Sequence, residues 1–254
     1  MKKSMLWMVL ATTALMLTAC GGKTAKTQSE DEKSETAAVQ EETTGMDEED
    51  DSDVLDGNKQ IDKIRQVWAS QTIATEGKNV NIGMLAKAFC KQYADYQPNK
   101  VLLRYLNGEK NYNEGMPFEY NVNDMTSNGY LRCLALLQYD MLTECCYWNR
   151  NNGHKLVAFW LSATFESSTM DRHLAAFYDY DPATGIMTPE PKLTELIEQA
   201  ASQYDEYTIQ LPDEGKDIMI YDYTINYEDD SAEIKNYALR WNGYDFKLEE
   251  VAAE

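Results

Sequence analysis

The chain has 254 residues, a formal net charge of −20 and a sequence pI of about 4.4. A chain this acidic lacks the basic surface that binds phosphate backbones, so we expect no nucleic-acid partner. The same charge disfavours electrostatic docking on anionic lipid headgroups. Acids are in excess in two parts of the chain: residues 30–56 hold 13 acids and one base, and residues 57–254 hold 30 acids and 18 bases.

The first twenty residues have the pattern of an export signal. Two lysines precede an apolar run over residues 5–17, which is shorter than the roughly 20 residues that span a bilayer as a helix. The run ends in LTAC at residues 17–20: an aliphatic residue, a small residue, alanine and then Cys20. This motif resembles the lipobox of bacterial lipoproteins, and the acidic, Tyr- and Asn-rich composition behind it resembles that of exported lipoproteins of Bacteroidota.

The lipobox resemblance implies a signal peptide over residues 1–19, diacylglycerol on the Cys20 thiol and an acylated amino group on the same residue. Two or three acyl chains retain a protein on a membrane, because each buried methylene contributes about 0.8 kcal/mol. We therefore expect an exported protein that is held by lipid in the outer membrane, in either the periplasmic or the surface-exposed leaflet. An ordinary secretory signal with a chance cysteine is the alternative.

Residues 20–57 have the composition of a disordered acidic tether. They contain no aromatic residue and only four large apolar ones, so they cannot bury enough apolar surface to offset the entropy of ordering. As a flexible coil, such a segment averages about 35 Å from end to end, and charge repulsion extends it further. An acidic region that attracts a cationic partner is the alternative interpretation.

Residues 58–254 are long enough to form a single domain with its own core. Apolar residues recur at helical spacing over residues 58–73 and 79–96, so two helices open the domain, and Pro98 ends the second one. A third helix is predicted over residues 191–204, where two prolines stand at the start and apolar residues recur every three or four positions.

Most other segments are typical of β-strands, because they are rich in β-branched and aromatic residues and are separated by turn-forming residues. The segments are 100–108, 116–124, 129–138, 142–149, 155–165 and 173–181 before the third helix, and 207–212, 217–227, 233–241 and 244–249 after it. Asn152-Gly153 predicts a hairpin turn, and the segment 155–165 is apolar on both faces, so it is expected at the centre of a sheet.

These elements predict an α+β fold. Its main part is a mostly antiparallel β-sheet, built from hairpins and a C-terminal meander. Two helices lie at the N-terminus of the domain and one helix is inserted before the last four strands. We expect the helices to cover one side of the sheet.

The last turn predicts a register for the closing hairpin. A two-residue turn at residues 242–243 sets Trp241 opposite Tyr244 and Arg240 opposite Asp245. The apolar face of this hairpin then consists of Tyr237, Leu239, Trp241, Tyr244, Phe246 and Leu248.

Motifs that carry chemistry are scarce. The two histidines, His154 and His173, lack metal-ligand spacing to a cysteine or to each other. Residues 179–190 place carboxylates at positions 1, 3 and 12 of a calcium loop, but Ala183 and Thr184 stand where a ligand and a glycine are needed. We interpret that segment as a hairpin turn. The sequence therefore predicts no metal, no cofactor and no catalytic residue.

Four cysteines follow Cys20, and export permits disulfides. If residues 129–148 form a hairpin centred on Tyr139-Asp140, Cys133 lies opposite Cys146, and these two form the candidate disulfide. Buried free thiols are the alternative.

Aromatic residues are abundant in the domain, since all 17 tyrosines lie after residue 92. Exposed aromatic rings can stack on sugar rings, although strands are also rich in aromatic residues for packing alone. With the lipid anchor, this composition favours a non-enzymatic binding or accessory protein of the cell envelope, with a protein or glycan ligand. The alternative is a glycan-directed envelope hydrolase that uses two unidentified carboxylates.

We predict that Cys20→Ala releases the protein from membranes, because the variant loses the thiol that carries the diacylglycerol. Fractionation of cells that express either form, followed by immunoblotting of the soluble and membrane fractions, measures the effect. A variant that stays in the membrane fraction as the native chain does would show that LTAC is not a lipobox.

Overall fold

The computed structural model describes residues 57–77, 80–136, 139–165, 172–202, 204, 207–222 and 236–251. The described residues belong to one compact unit. Cys20, the predicted signal peptide and the predicted tether lie outside them, except that Gly57 already forms the start of the first helix. Among the described residues, no helix combines the length and the hydropathy needed to cross a bilayer.

Three helices pack together at the start of the domain: α1 at Gly57–Val67, α2 at Ile82–Gln92 and α3 at Gln97–Leu106. α1 continues into a 3-10 helix at Trp68–Ser70. α2 begins after Asn81, whose side-chain oxygen accepts a hydrogen bond from the Met84 N–H at 3.0 Å. This cap satisfies one of the backbone donors that a helix leaves unpaired at its N-terminus.

The third helix was not predicted from the sequence. Residues 100–108 were assigned to a strand, and α2 was expected to end at Pro98. Pro98 instead lies in the first turn of α3, where its missing N–H loses no hydrogen bond. Val101 and Leu102 are fully buried in the core. A short apolar run has the same appearance in a strand and in a buried helix, and here the packing decides in favour of the helix.

The main sheet has seven antiparallel strands in the order β1-β7-β6-β5-β4-β3-β2. The strands are β1 Ile73–Ala74, β2 Glu119–Met125, β3 Tyr130–Leu136, β4 Tyr139–Asn149, β5 Lys155–Phe165, β6 Arg172–Asp181 and β7 Ile186–Pro189. β5 is central, as predicted. Two predicted turns are also confirmed: Gly153, at φ +89°, lies between β4 and β5, and the Gly185 N–H donates to the Asp181 carbonyl at 2.8 Å between β6 and β7.

A helix and a second sheet follow the main sheet in the chain. Helix α4 at Pro191–Ala201 leads into four antiparallel strands in the order β11-β10-β9-β8. These strands are β8 Tyr207–Gln210, β9 Ile218–Asp222, β10 Asn236–Trp241 and β11 Phe246–Val251. The α+β class, the mostly antiparallel sheet and the helix before the last four strands are thus confirmed.

The main sheet separates two apolar cores. On one side, Phe159 of β5 stacks on Phe89 of α2, with 3.8 Å between ring centroids. On the other side, Trp160 packs in a cluster with Leu193 and Ile197 of α4 and with the second sheet. Helices therefore cover both faces of the main sheet, whereas the sequence analysis placed them all on one. Residues of β5 alternate between the two cores, which explains its continuous apolar run.

The β3–β4 hairpin differs from the predicted register. Cys133 lies opposite Thr143, and Cys146 lies opposite Tyr130. The Cys133 side chain belongs to the core under α1–α3, and Cys146 belongs to the core on the other side of the sheet. The predicted Cys133–Cys146 disulfide is therefore wrong, because the sheet lies between the two thiols. All four cysteines of the described chain are buried and free.

The β10–β11 hairpin keeps its predicted faces but not its predicted register. Trp241 lies opposite Phe246, so the turn spans residues 242–245. Asn242 closes this turn, because its side-chain oxygen accepts hydrogen bonds from two backbone N–H groups of the turn, both at 2.9 Å. The register has shifted by two residues, so the apolar face is retained, but Tyr244 is exposed in the turn.

His173 of β6 lies between two aromatic side chains in the second core. Its ring centroid is 5.0 Å from that of Trp160 and 4.2 Å from that of Tyr207. Burial lowers the pKa of His173 to about 4, and the charges of Arg65 and Arg172 act in the same direction. The folded protein therefore holds this imidazole neutral at pH values where an unfolded chain protonates it.

We predict that the free energy of unfolding falls by up to ~3 kcal/mol through His173 as the pH decreases from 6.5 to about 4. In this window the unfolded chain binds a proton that the folded chain excludes, and above it the contribution of His173 to stability is fully present. His173→Gln should remove this part of the pH dependence. Urea unfolding at a series of pH values measures the slope, and an unchanged slope in the variant would contradict the assignment.

Candidate binding cleft between the two sheets

One end of β4 has a strand edge that its neighbour does not cover. β3 begins at Tyr130, which pairs with Cys146, so residues 147–149 of β4 extend beyond it. The chain turns away at Gly129, which has φ +79°. A Cβ atom at this position would lie 3.1 Å from the Tyr147 ring, so both the conformation and the close approach favour glycine.

The uncovered edge opens into a cleft of about 320 Å³ between the two sheets. This volume is at the lower end of the range of small-molecule sites, about 300–1,000 Å³. Its lining comes from the turn before β3, the end of β4, the loop between β8 and β9, and the end of β10: Ser127, Asn128, Gly129, Cys146, Tyr147, Trp148, Asn149, Pro212, Asp213, Gly215, Lys216 and Trp241. We call it the inter-sheet cleft, and we call residues 212–216 the cleft loop.

The aromatic side of the cleft is formed by two tryptophans. Trp148 is buried, and its indole N–H donates to the Lys216 carbonyl at 2.7 Å. Trp241 is partly exposed, and its ring lies 6.0 Å from that of Trp148 at an interplanar angle of 33°. Phe246 packs against both rings, at 5.0 and 5.1 Å between centroids. The Trp241 ring is therefore supported from behind by two aromatic side chains.

The polar side of the cleft consists of short amide, hydroxyl and charged side chains. At the edge of the cleft, the Lys155 ammonium group donates to the Asn149 side-chain oxygen at 2.6 Å and lies 4.1 Å from the centroid of the Tyr147 ring. Burial lowers the pKa of Lys155. The Tyr147, Asn149 and Lys155 side chains lie on the face of the sheet that carries α1–α3, opposite to Trp148.

The cleft loop is fixed at its end by Asp217. Its carboxylate accepts hydrogen bonds from the Trp241 backbone N–H at 3.0 Å and from the Arg240 guanidinium at 2.7 Å. Burial by itself would raise the pKa of Asp217, but these hydrogen bonds outweigh it and hold the pKa below its usual value. Arg240 was predicted to lie opposite Asp245; it lies opposite Lys247 and pairs with Asp217.

The start of the cleft loop is fixed by Glu144, a buried carboxylate of β4. It accepts hydrogen bonds from the Tyr130 hydroxyl and from the Leu211 backbone N–H. Burial raises the pKa of Glu144, and the hydrogen bond from Tyr130 and the charge of Arg132 offset part of this effect. Sequence reasoning did not identify Glu144, although an acid between inward-facing apolar residues of a strand is the signal that marks such a site.

A cluster of charged side chains at this end of the sheet surrounds Arg150, whose own side chain is only 3% exposed. Its Nη1 and Nη2 atoms donate to the Glu190 carboxylate at 2.8 and 2.6 Å, and Nη1 donates to Asp179 at 2.5 Å. His154, which follows the turn between β4 and β5, lies with Nδ1 2.6 Å from the other Asp179 oxygen. The two terminal carboxylates of the rejected calcium loop thus bind an arginine.

Arg150 also connects the two sheets. Its Nε atom donates to the Tyr244 carbonyl at 2.9 Å, and the adjacent Asn151 N–H donates to the Gly243 carbonyl at 3.0 Å. These bonds attach the turn that follows Trp241 to the turn that follows β4. They therefore set the position of Trp241 relative to the end of β4, although neither Arg150 nor Tyr244 lines the cleft.

The candidate site residues predicted from the sequence do not come together in one site. Cys20 lies outside the described residues, and Cys133 and Cys146 lie in different cores. Among the described residues, no group of three or more His, Cys, Asp and Glu side chains has the arrangement of a metal site. No sequence motif marks the residues that line the cleft, because they come from separate parts of the chain, as Asn128, Asn149 and Trp241 do.

Comparisons of the chain with protein-family models, with curated proteins and with solved structures found no match. The inter-sheet cleft and the N-terminal motif are the features of this chain that bear on its function.

We predict that Arg150→Met lowers the free energy of unfolding by about 3 kcal/mol, because it leaves Asp179 and Glu190 without their buried partner. Lys247→Met is the matched control: Lys247 pairs with Glu249 at 3.3 Å on the surface, with a side chain 76% exposed, so its removal should cost less than about 1 kcal/mol. Urea denaturation of both variants measures the two values. Equal effects would mean that Arg150 is not a structural link between the sheets.

Proposed function

We propose that this protein is a lipid-anchored, non-enzymatic binding or accessory protein of the cell envelope, and that its ligand, a glycan or a protein segment, occupies the inter-sheet cleft. One observation carries the proposal: a partly exposed tryptophan and several short polar side chains face one cleft whose walls are braced from behind. Binding sites of this kind combine apolar surface with a few placed polar groups.

The bracing favours binding because it keeps the cleft formed in the absence of ligand. Glu144 and Asp217 hold the two ends of the cleft loop, and Arg150 holds the turn after Trp241. A site whose side chains and backbone are already ordered loses little conformational entropy when a ligand enters. The lipobox-like motif that ends at Cys20 supports placement of this cleft at the envelope, on the outer membrane.

The alternative, a glycan-directed hydrolase, would need a pair of carboxylates free to act as acid and base or nucleophile. Asp213 lines the cleft and lies close enough to Glu144 to influence its charge. Both hydrogen bonds of Glu144, however, go to Tyr130 and Leu211, which gives this carboxylate a structural task. The geometry therefore supports binding better than hydrolysis.

Envelope binding by the lipid-free protein tests the proposal. The mature chain from residue 20, carrying Cys20→Ala, is incubated with washed cell envelopes and sedimented. We expect saturable binding that Trp241→Ala weakens at least tenfold, because truncation of a supported tryptophan removes the main apolar contact of the cleft.

Two further variants control for damage to the fold. Asn128→Ala removes a cleft side chain that has no partner among the described residues, so it should weaken binding without lowering the melting temperature. Val67→Ala shortens an exposed side chain at the end of α1, outside the cleft, and should leave binding intact. Binding that survives Trp241→Ala and Asn128→Ala would place the ligand elsewhere and refute the proposal.

A further inference from the structure

We infer that the inter-sheet cleft accommodates a neutral saccharide, with the Trp241 ring as the surface on which one pyranose ring stacks. This inference rests on the proposed binding function and specifies its ligand class. It follows from three features of the cleft: the support of Trp241, the polar groups around it, and the balance of charge.

Trp241 is held in place from several directions. Trp148 and Phe246 pack against its ring, and Asp217 accepts its backbone N–H. The ring nevertheless lines the cleft and is partly exposed, so part of its apolar surface faces a ligand. Sugar rings have an apolar face of C–H groups, and such a face packs on an aromatic ring whose π-surface is negative.

The polar groups around Trp241 match the hydroxyl groups at the edge of a sugar ring. The Trp241 indole N–H, the Asn128 amide and the Lys216 ammonium group have no partner among the described residues. Asp213 supplies an acceptor, because only one of its oxygens is bonded, to the Glu214 N–H at 2.8 Å. A hydroxyl both donates and accepts, so a cleft with donors and acceptors suits it.

The charge of the cleft favours a neutral ligand. Asp213 and Lys216 stand in the same cleft with opposite charges. An anionic sugar would meet Asp213 and the field of a domain in which acids exceed bases by 12 over residues 57–254. A cationic sugar would meet Lys216. A neutral saccharide avoids both repulsions and forms hydrogen bonds with either group.

The shape of the cleft favours a saccharide over an added peptide strand. The uncovered edge of β4 comprises only residues 147–149. Backbone groups of a strand point alternately to its two sides, so at most two of these three residues direct their N–H and C=O groups into the cleft. Strand addition depends on a row of such bonds for its affinity, whereas a sugar uses the side chains that are present.

Titration of the lipid-free mature chain with neutral trisaccharides tests the inference. Four tryptophans follow residue 20, so a ¹⁵N-labelled sample gives four indole N–H signals, which Trp→Phe variants assign. The probes are cellotriose, maltotriose, mannotriose, xylotriose and triacetylchitotriose, each up to about 10 mM. We expect at least one of them to shift the Trp241 indole signal saturably. The Trp148 signal should shift less, because its N–H is already bonded to Lys216.

Affinity measured in the same titrations should fall at least tenfold in Trp241→Ala and should also fall in Asn128→Ala, and it should change less than twofold in Val67→Ala, an exposed position outside the cleft. The inference is wrong if none of the trisaccharides shifts the Trp241 signal, or if Trp241→Ala binds them as the native chain does. If envelope binding depends on Trp241 while no trisaccharide binds, the saccharide inference fails and the proposed function stands. If envelope binding is independent of Trp241, the proposed function fails.

Discussion

The fold depends on the need of the seven-stranded sheet to bury both of its faces. Phe159 and Trp160 are neighbours in β5, and each is at most 1% exposed, although they point in opposite directions. A covering layer on only one face of the sheet would leave one of these two rings exposed to water. The free energy gained by burying its apolar surface would then be lost. α1–α3 cover one face, and α4 with the second sheet covers the other. The inter-sheet cleft lies beside this second cover, at the end of β4 that β3 leaves unpaired.

The sequence predicts which face of a strand is apolar better than it predicts the pairing register of that strand. Alternation of side chains has a period of two, so a shift of the closing hairpin by two residues keeps its apolar face, and the sequence predicts that face correctly. The β3–β4 hairpin shifts by three residues, an odd number, and this exchanges the faces and separates Cys133 from Cys146. In the closing hairpin, turn chemistry was the weak step, because the Asn242 side chain closes a longer turn than Asn-Gly alone suggests.

The cleft could not be predicted for a different reason. Glu144 bonds to Leu211, Arg150 bonds to Tyr244, and Asp217 bonds to Trp241, so two of the three contacts join residues more than sixty positions apart. Local propensity and hydrophobic periodicity carry no information about such pairs. α3 was missed because packing rather than local pattern decides between helix and strand for a short apolar run. Most elements and their order follow from the sequence, apart from α3 and the short strands β1 and β7. The polar contacts that join the sheets do not follow from it.

Gly57, the first described residue of the domain, lies far from the inter-sheet cleft. Gly57 lies so close to β4 and β5 that a Cβ atom there would be 2.8 Å from Met141 and 2.9 Å from Ala163. Asn149 in the cleft is eight residues further along β4 than Met141, which is about 27 Å of extended strand. The chain thus enters at one pole of the domain and the cleft opens at the other. Most of the length of β4 therefore separates a ligand in the cleft from the point at which the described chain begins.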